Sequence, residues 1–580
     1  MRGLPRYARN DESFIAMTGR KWKMSMKEMP VMKKVDGGVV WSHTFEKFKT
    51  TVYVPENDLM DDVLNYGFIA PYLLVFAPQD FLSDNEKLVA FARENGFEKI
   101  ARKYATSVVF IYPTSAGGWK NAAPDLFSEI ISNSKIHEFY EKGVVKFYNR
   151  FTKTLEAYYI RGGIFHTNLY GFGESADYIA ANCLNHFEGD GLWGRADCAP
   201  VACTLTELTP QAKIKVEAAD IPVVSYGNTT SVNQIFAAKC KYFLEKPAPD
   251  FAGDMESFVK QFRRMLGELE LDPDLEKDGM KIDPGVVTVK TSPDNMGIDK
   301  GTENHKVGYF AFYNKDIFDK GPIPLLLAFH GGGDSAFYIS YISGWANIAH
   351  RNNFLLVAVE HHLNSSATEM VELVENLKQK YKIDPTRIYA SGFSMGGIKT
   401  WDLIQEYPNL IAAAAPMDAT VDIGENVYFA KINKPVNTQT SVPIFYAAGE
   451  KTPLAEFPYQ EQKCINRMAY ALKLNGAKLA DQYNVKLEDK SNWKNKFWGI
   501  DGEDKIELVD PKRKGKLTIQ FFERPDGKCW NVFASIDNQG HECREHTCEQ
   551  AWRYMSKFSR SADGTITGGD LAEIKKILLN

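Results

Sequence analysis

Short unbroken apolar runs, each closed off by turn residues, recur through the whole chain. In the first half they include Pro71–Pro78, Ser107–Pro113, Val201–Leu205 and Ile221–Tyr226. In the second half they are Pro324–Phe329, Phe354–Val359, Leu410–Pro416, Val442–Ala448 and Val532–Ile536. These runs do not alternate apolar with polar residues, so they read as strands covered on both faces, the pattern of a parallel sheet between two helix layers. Between them the apolar spacing becomes helical. Met370, Leu373, Val374, Leu377 and Tyr381 fall on one face of a helix that Ser366 and Glu369 open with a capping box. Helical stretches are also expected over Asn85–Lys103, over Ile398–Tyr407 up to Pro408, and around Ala551, Trp552, Met555 and Phe558. Strands alternating with helices predict an α/β protein whose sheets are mostly parallel and flanked by helices.

A chain of 580 residues exceeds one ordinary core. Residues 247–282 are charged and Pro-flanked, with a helix expected over Met255–Leu269, and read as the linker between two halves, 1–275 and 276–580. Residues 1–35 read as an extension to the first half. Within the second half, residues 480–530 are an insertion rich in aromatic and charged side chains, either a lid or an extra packed hairpin. The net charge of −5 and the lack of a long basic run argue against a nucleic-acid partner. No apolar segment approaches membrane-spanning length, so no membrane partner is expected. The first thirty residues are too polar for a secretory leader; the expected location is cytoplasmic, or secreted if a removed leader precedes them. Eight cysteines are too few for a disulfide framework, although Cys543 and Cys548 are close enough in sequence to pair. No C-x-x-C or H-E-x-x-H pattern calls for a metal, and Gly171-x-Gly173 lacks the third glycine of a nucleotide fingerprint, so no cofactor is expected.

The chemistry concentrates at Gly392-Phe393-Ser394-Met395-Gly396, a G-x-S-x-G sequence lying between the expected strand Arg387–Ser391 and the helix from Ile398. That context is a nucleophile elbow, with Ser394 as nucleophile. His330-Gly331-Gly332-Gly333-Asp334 follows a buried strand directly, where glycines let backbone N–H groups face a developing oxyanion. The N–H of Met395 and that of Gly331 or Gly332 are the expected donors. His541 is the expected base and His546 its rival. His361 and His362 end a strand on the same edge, where one lines the pocket or both are structural. Two carboxylates compete as the acid that orients His541: Glu450, favoured because it directly follows the Val442–Gly449 strand, and Asp418, which ends the preceding strand. His330, Trp345 and Trp498 are the expected substrate-binding side chains, with Phe337, Tyr338, Tyr341 and Trp493 as further aromatics of either pocket or core.

Taken together, His330-Gly331-Gly332-Gly333, Ile348-Ala349-His350-Arg351, Asp384-Pro385-Thr386-Arg387, the Ser394 pentapeptide with Gly397, and Gly540-His541 ahead of Ala551-Trp552 resemble the α/β-hydrolase esterases. The likeness is to their polyhydroxybutyrate-depolymerase-like and feruloyl-esterase-like branch and covers roughly half the chain. It implies a serine carboxylic ester hydrolase acting on short-acyl, aromatic or hydroxyalkanoate esters, as small molecules or pieces of a polymer. A peptidase or acyl transferase on the same site, and a non-catalytic scaffold, are the alternatives. The resemblance departs at Thr452, where such esterases carry Asp three residues after the glycine of the acid strand. The first half resembles the same fold more weakly, so the fold expected is two tandem α/β-hydrolase-like domains. Gly171-Phe172-Gly173 answers to Gly392-Phe393-Ser394, Ala77-Pro78-Gln79-Asp80 stands where the other half has His330 and its glycines, and Asn228 stands in place of Glu450. The first half is therefore expected to be a catalytically dead copy.

Overall fold

The computed structural model describes residues 33–56, 71–77, 84–103, 106–134, 163–185, 200–216, 221–248, 250–251, 253–254, 262–265, 268–295, 299–332, 335–360, 362, 365–424 and 436–580. They fall into two compact units, one from Leu275 to Asn580 and the other formed by the described residues before Leu275. Residues 1–32 of the expected extension over 1–35, and the loop residues Pro78, Gln79, Asp80, Gly333, Asp334 and His361, lie outside the described residues, while Lys33–Val35 form an edge strand.

The N-terminal unit is built on a nine-stranded sheet. Its strands lie in the order Lys33–Val35, Gly38–Thr44, Phe48–Pro55, Val108–Pro113, Pro71–Phe76, Gly163–Phe172, Pro200–Thr206, Val223–Tyr226 and Phe243–Lys246. The first three pair antiparallel, Phe48–Pro55 meets Val108–Pro113 antiparallel, and from there every pairing is parallel. The C-terminal unit repeats this plan in a ten-stranded sheet. Its order is Met280–Lys290, Asn304–Asn314, Leu355–Val359, Ile323–Phe329, Ile383–Phe393, Ala413–Met417, Ile444–Gly449, Cys529–Ile536, Lys516–Glu523 and Asp504–Val509. Leu355–Val359 through Cys529–Ile536 are parallel; the strands beyond them on either side are antiparallel. Both units are α/β-hydrolase-like: mostly parallel sheets with helices packed on them.

The two-sided burial read from the apolar runs is visible along Ile323–Phe329. Leu325, Leu327 and Phe329 face one core, with Met370, Leu373, Val374 and Leu377 of helix Ala367–Lys380 and with Trp401. Leu326 and Ala328 face the other, with Trp345, Ile348, Ala551 and Trp552. The Ser366–Glu369 capping box forms with both of its hydrogen bonds. In the sheet, Ile323–Phe329 lies between Leu355–Val359 and Ile383–Phe393, so the chain leaves it to one side first and returns on the other. Loops diverge at such a switch point, which leaves a crevice at the carboxyl ends of the strands.

Two expectations are corrected, and one left open between two forms is filled in. The linker helix over Met255–Leu269 is not what its described residues form: Phe262–Met265 and Glu268–Leu271 pair as an antiparallel hairpin. Their sequence pattern does not favour strand over helix, since Phe262 and Met265 stand three residues apart; the cross-strand pairing of Phe262 with Leu271 and Met265 with Glu268 defines the hairpin. The strand into the elbow is longer than Arg387–Ser391 and begins at Ile383. The 480–530 insertion is the packed hairpin of the two alternatives: Asp504–Val509 and Lys516–Glu523 extend the sheet beyond Cys529–Ile536. No helix among the described residues is long and apolar enough to cross a membrane.

The helix after Ser394 meets the sheet most closely at Gly396, where an added Cβ would sit 2.0 Å from the Phe329 carbonyl oxygen. Gly396→Ala should therefore cost about 1–3 kcal/mol through overpacking against unyielding backbone. Urea unfolding followed by tryptophan fluorescence measures this; an unchanged midpoint would refute the close packing.

Candidate active site

Ser394 sits between the strand Ile383–Phe393 and the helix Met395–Glu406 with φ 53° and ψ −117°, a conformation costly for a residue with a Cβ. Its N–H donates to the Met417 carbonyl at 2.9 Å, and its carbonyl accepts from Ile398 N–H at 3.1 Å. The turn closes only because Gly392 and Gly396 have no side chain: a Cβ on Gly392 would lie 2.1 Å from the Gly396 oxygen. Ser394 is partly exposed at the start of the helix, where unpaired N–H groups favour negative charge. Gly331 and Gly332 leave the end of Ile323–Phe329 beside this turn. A Cβ on Gly332 would meet the Met395 sulfur at 2.4 Å, so the glycine loop and the residue after Ser394 are in contact.

His541 lies in the loop between Cys529–Ile536 and the helix Glu545–Met555. Its ring packs 4.7 Å from that of Phe393, the residue before Ser394. The neighbouring loop is bonded to its own along the backbone: Glu450 N–H donates to Ile536, Lys451 N–H to Gln539, and Gly449 lies so close to Gln539 and Gly540 that a Cβ would collide with both carbonyls. This pairing carries buried Thr452 to His541, where Oγ1 lies 3.2 Å from Nδ1.

Glu450, the expected acid, points elsewhere. One of its oxygens takes the Lys496 ammonium at 2.6 Å and the other the Asn538 N–H at 2.9 Å. The lysine holds its carboxyl below the ordinary glutamate range. Asp418, the alternative, is buried beneath the site. Its carboxylate accepts from Gly449 N–H at 2.8 Å and from the backbone of Glu542, so it ties down the residue after His541 and the turn leading to Thr452. Burial, reinforced by nearby Glu456, pushes the Asp418 carboxyl well above its usual range. Glu456 is itself pushed up to about 8 by burial, which donors to its carboxylate, the Tyr446 hydroxyl at 2.9 Å among them, only partly offset.

The expected substrate-binding side chains are placed in the interior. His330 turns inward, its ring stacked 4.4 Å from that of His362 and its Nε2 3.4 Å from Glu360. Burial lowers its pKa to about 4, so it stays neutral. His362 is buried, with Nε2 2.8 Å from the His330 carbonyl oxygen, and holds the start of the glycine loop. Trp345 packs in one core and Trp498 in the other, wedged among Tyr446, Phe457 and Phe533; both are at most 2 % exposed. Large apolar rings fill a core as readily as they line a pocket, and sequence spacing does not separate the two. His546, the rival base, lies in the first turn of the helix Glu545–Met555, in the field of Asp510, Arg553 and Arg544, and burial lowers its pKa. Among the described residues no group of three or more His, Cys, Asp and Glu side chains is placed to hold a metal.

The matching turn of the N-terminal unit has almost the same backbone. Gly173 has φ 57° and ψ −121°, its N–H donates to Thr206, and its carbonyl accepts from Asp177. There is no side chain at this position. Ser175 is buried, with its hydroxyl 2.6 Å from the Phe76 carbonyl and also engaged by Phe172. Asn228 bonds Leu205, Leu208 and Ser225.

No family model matches the chain. Over 147 residues it is 31% identical to a bifunctional acetylxylan esterase/xylanase of Neocallimastix patriciarum, covering 24% of this chain and 20% of that protein. Over 113 residues it is 26% identical to poly(3-hydroxyalkanoate) depolymerase C of Paucimonas lemoignei, covering 16% of this chain and 27% of that protein. The chain thus spans well under half the length of these curated relatives. Among solved structures, the acetyl xylan esterase from Aspergillus awamori matches 47% of this chain and 99% of its own at 13% identity, with a TM-score of 0.31. The feruloyl esterase module from Clostridium thermocellum matches 35% of this chain and 76% of its own at 14% identity, with a TM-score of 0.24. The chain is similar to α/β-hydrolase esterases, as its motifs imply.

With Trp498 in the core, Trp498→Ala should lower unfolding free energy by about 3–5 kcal/mol. The KM ratio between aromatic and acetyl esters should not move. A changed ratio at unchanged stability would return Trp498 to the pocket wall.

Proposed function

We propose that the C-terminal unit hydrolyses carboxylic esters with Ser394 as nucleophile and His541 as base. The observation that carries this reading is Ser394 on its strained turn with the His541 ring packed against Phe393. In this mechanism Ser394 Oγ attacks the ester carbonyl while His541 Nε2 accepts its proton. The N–H groups of Met395 and of Gly331 or Gly332 hold the oxyanion; loss of one such donor typically costs about 3 kcal/mol. His541 then protonates the departing alcohol, and water repeats the sequence on the acyl-enzyme.

Thr452 is the partner we assign to His541 Nδ1. Its oxygen accepts a hydrogen bond from Nδ1–H, which holds the proton on Nδ1 and so keeps Nε2 free to act as base. A hydroxyl orients the ring but adds no formal charge to steady the imidazolium. Asp418 fixes both loops from below through the backbone of Gly449 and Glu542 and is the carboxylate of this unit, acting through them. Short-acyl, aromatic or hydroxyalkanoate esters are the proposed substrates, since the two curated relatives are by name an acetylxylan esterase and a poly(3-hydroxyalkanoate) depolymerase. In the N-terminal unit the nucleophile position is Gly173 and the nearby Ser175 hydroxyl is engaged internally, which supports reading that unit as catalytically dead.

Ser394→Ala should abolish both ester hydrolysis and covalent labelling of the whole chain by a fluorophosphonate probe. Labelling that survives would mean a nucleophile elsewhere, the N-terminal unit included.

Thr452→Val should lower kcat about ten- to a hundredfold, by losing a hydrogen bond that orients the base. Thr452→Asp should move the acidic limb of the kcat/KM profile to higher pH, because an adjacent carboxylate favours the charged imidazole and raises its pKa. If the limb stays in place, Thr452 is not the Nδ1 partner during turnover.

A further inference from the structure

Three sulfur atoms meet behind the catalytic histidine. Cys543 Sγ lies 3.3 Å from Cys548 Sγ, and Met417 Sδ packs 3.5 Å from the first and 3.7 Å from the second. Each belongs to a different support of the proposed site. Met417 accepts the Ser394 N–H through its carbonyl and directly precedes Asp418. Cys543 lies two residues after His541, in the same loop. Cys548 lies in the first turn of the helix Glu545–Met555, which packs on the sheet through Ala551 and Trp552. The other cysteines of this unit are placed differently: Cys464 and Cys529 direct their thiols to the carbonyls of Ala455 and Asn531.

We propose that Cys543 and Cys548 form a disulfide that staples the His541 loop to this helix. The sulfurs need to close by little more than about 1 Å to reach bonding distance, a shift a loop residue can make. Cys548 is fully buried, and burial pushes its thiol well above the usual range, so Cys543, the less buried of the two, reacts first. The oxidant is a low-molecular-weight disulfide. The Cys543 thiolate attacks one sulfur of it, forming a mixed disulfide and releasing one thiol. The Cys548 thiolate then attacks the Cys543 sulfur, forming the internal bond and releasing the second thiol. Two protein thiols are oxidised, the disulfide is reduced to two thiols, and the two protons pass to the released thiolates. Once formed, the bond restricts the loop whose Glu542 backbone also holds Asp418.

The test equilibrates the full chain with oxidised glutathione or with dithiothreitol, then alkylates it in denaturant without further reduction. Trypsin separates the two cysteines into peptides 529–544 and 545–553. The proposal expects these peptides covalently joined in the oxidised sample and separately alkylated in the reduced one, with Cys543→Ser or Cys548→Ser each removing the joined species. It also expects the oxidised wild-type chain to lose its native tryptophan fluorescence several-fold more slowly on heating than the reduced chain. If both cysteines are alkylated after oxidation, or carry only glutathione, the bond does not form and the proposal fails. If the bond forms without slowing thermal unfolding, it is not a staple. Neither readout uses ester turnover, so failure here is distinct from failure of the esterase reading.

Discussion

The structure of the C-terminal unit depends on one steric constraint: the helix from Met395 must start almost in contact with the end of the strand beside it. Gly396 meets the Phe329 carbonyl and Gly392 meets Gly396, each at a distance no Cβ allows. This contact fixes the crossing of helix over sheet, and it forces the residue between into positive φ. It also brings the end of Ile323–Phe329, with its glycine loop, to the residue that follows Ser394. The position of Ser394 and that of the proposed oxyanion donors are therefore consequences of one packing arrangement, in which the Gly332 backbone leaves the space that the Met395 side chain fills.

A second pairing of loops supplies the other half of the proposed site. The turn after Ile444–Gly449 and the turn after Cys529–Ile536 are joined by backbone hydrogen bonds, and Asp418 pins both from beneath. His541 and Thr452 meet because these turns are bound together, not because either residue is placed by its own strand alone. Glu450, on the same turn, faces outward to Lys496, since a carboxylate at the surface keeps its hydration and gains an ammonium. The inner position is left to a hydroxyl, which is less costly to bury than a carboxylate already near Asp418 and Glu456.

The sheets, the elbow and the glycine loop were legible in the sequence because each is written locally. Two-sided burial shows as unbroken apolar runs, and the elbow shows as glycines at fixed offsets. The order of strands and helices was enough to expect two similar units. What was not legible depends on contacts between distant segments. Whether Trp345 and Trp498 line a pocket or fill a core turns on which sheet face they meet, and their spacing carries no such information. Glu450 and Asp418 both end strands at the right edge; only the side-chain directions separate them. The Thr452 contact had a visible trace, a threonine where similar esterases carry Asp, but its meaning required seeing it beside Nδ1. The hairpin at Phe262–Leu271 was missed because charged residues between apolar ones fit a helix face and an exposed strand equally well.

The N-terminal unit separates what the fold requires from what chemistry adds. Gly173 has nearly the dihedral angles of Ser394, and its backbone N–H and carbonyl make the equivalent bonds. Gly171 repeats the close approach of Gly392, with a Cβ position 2.7 Å from Ala176. The positive-φ turn is thus a property of strand-to-helix packing in this architecture, and it forms without a nucleophile. Glycine adopts that conformation freely, whereas a residue with a Cβ gives up about 1–3 kcal/mol to do so. A turn serving packing alone favours glycine, as position 173 shows. Serine at 394 is a less stable choice at the same geometry, and its hydroxyl is not used to cap the helix that follows it. The strain at Ser394 is not offset by capping the helix, which is what the proposed role of its hydroxyl as nucleophile expects.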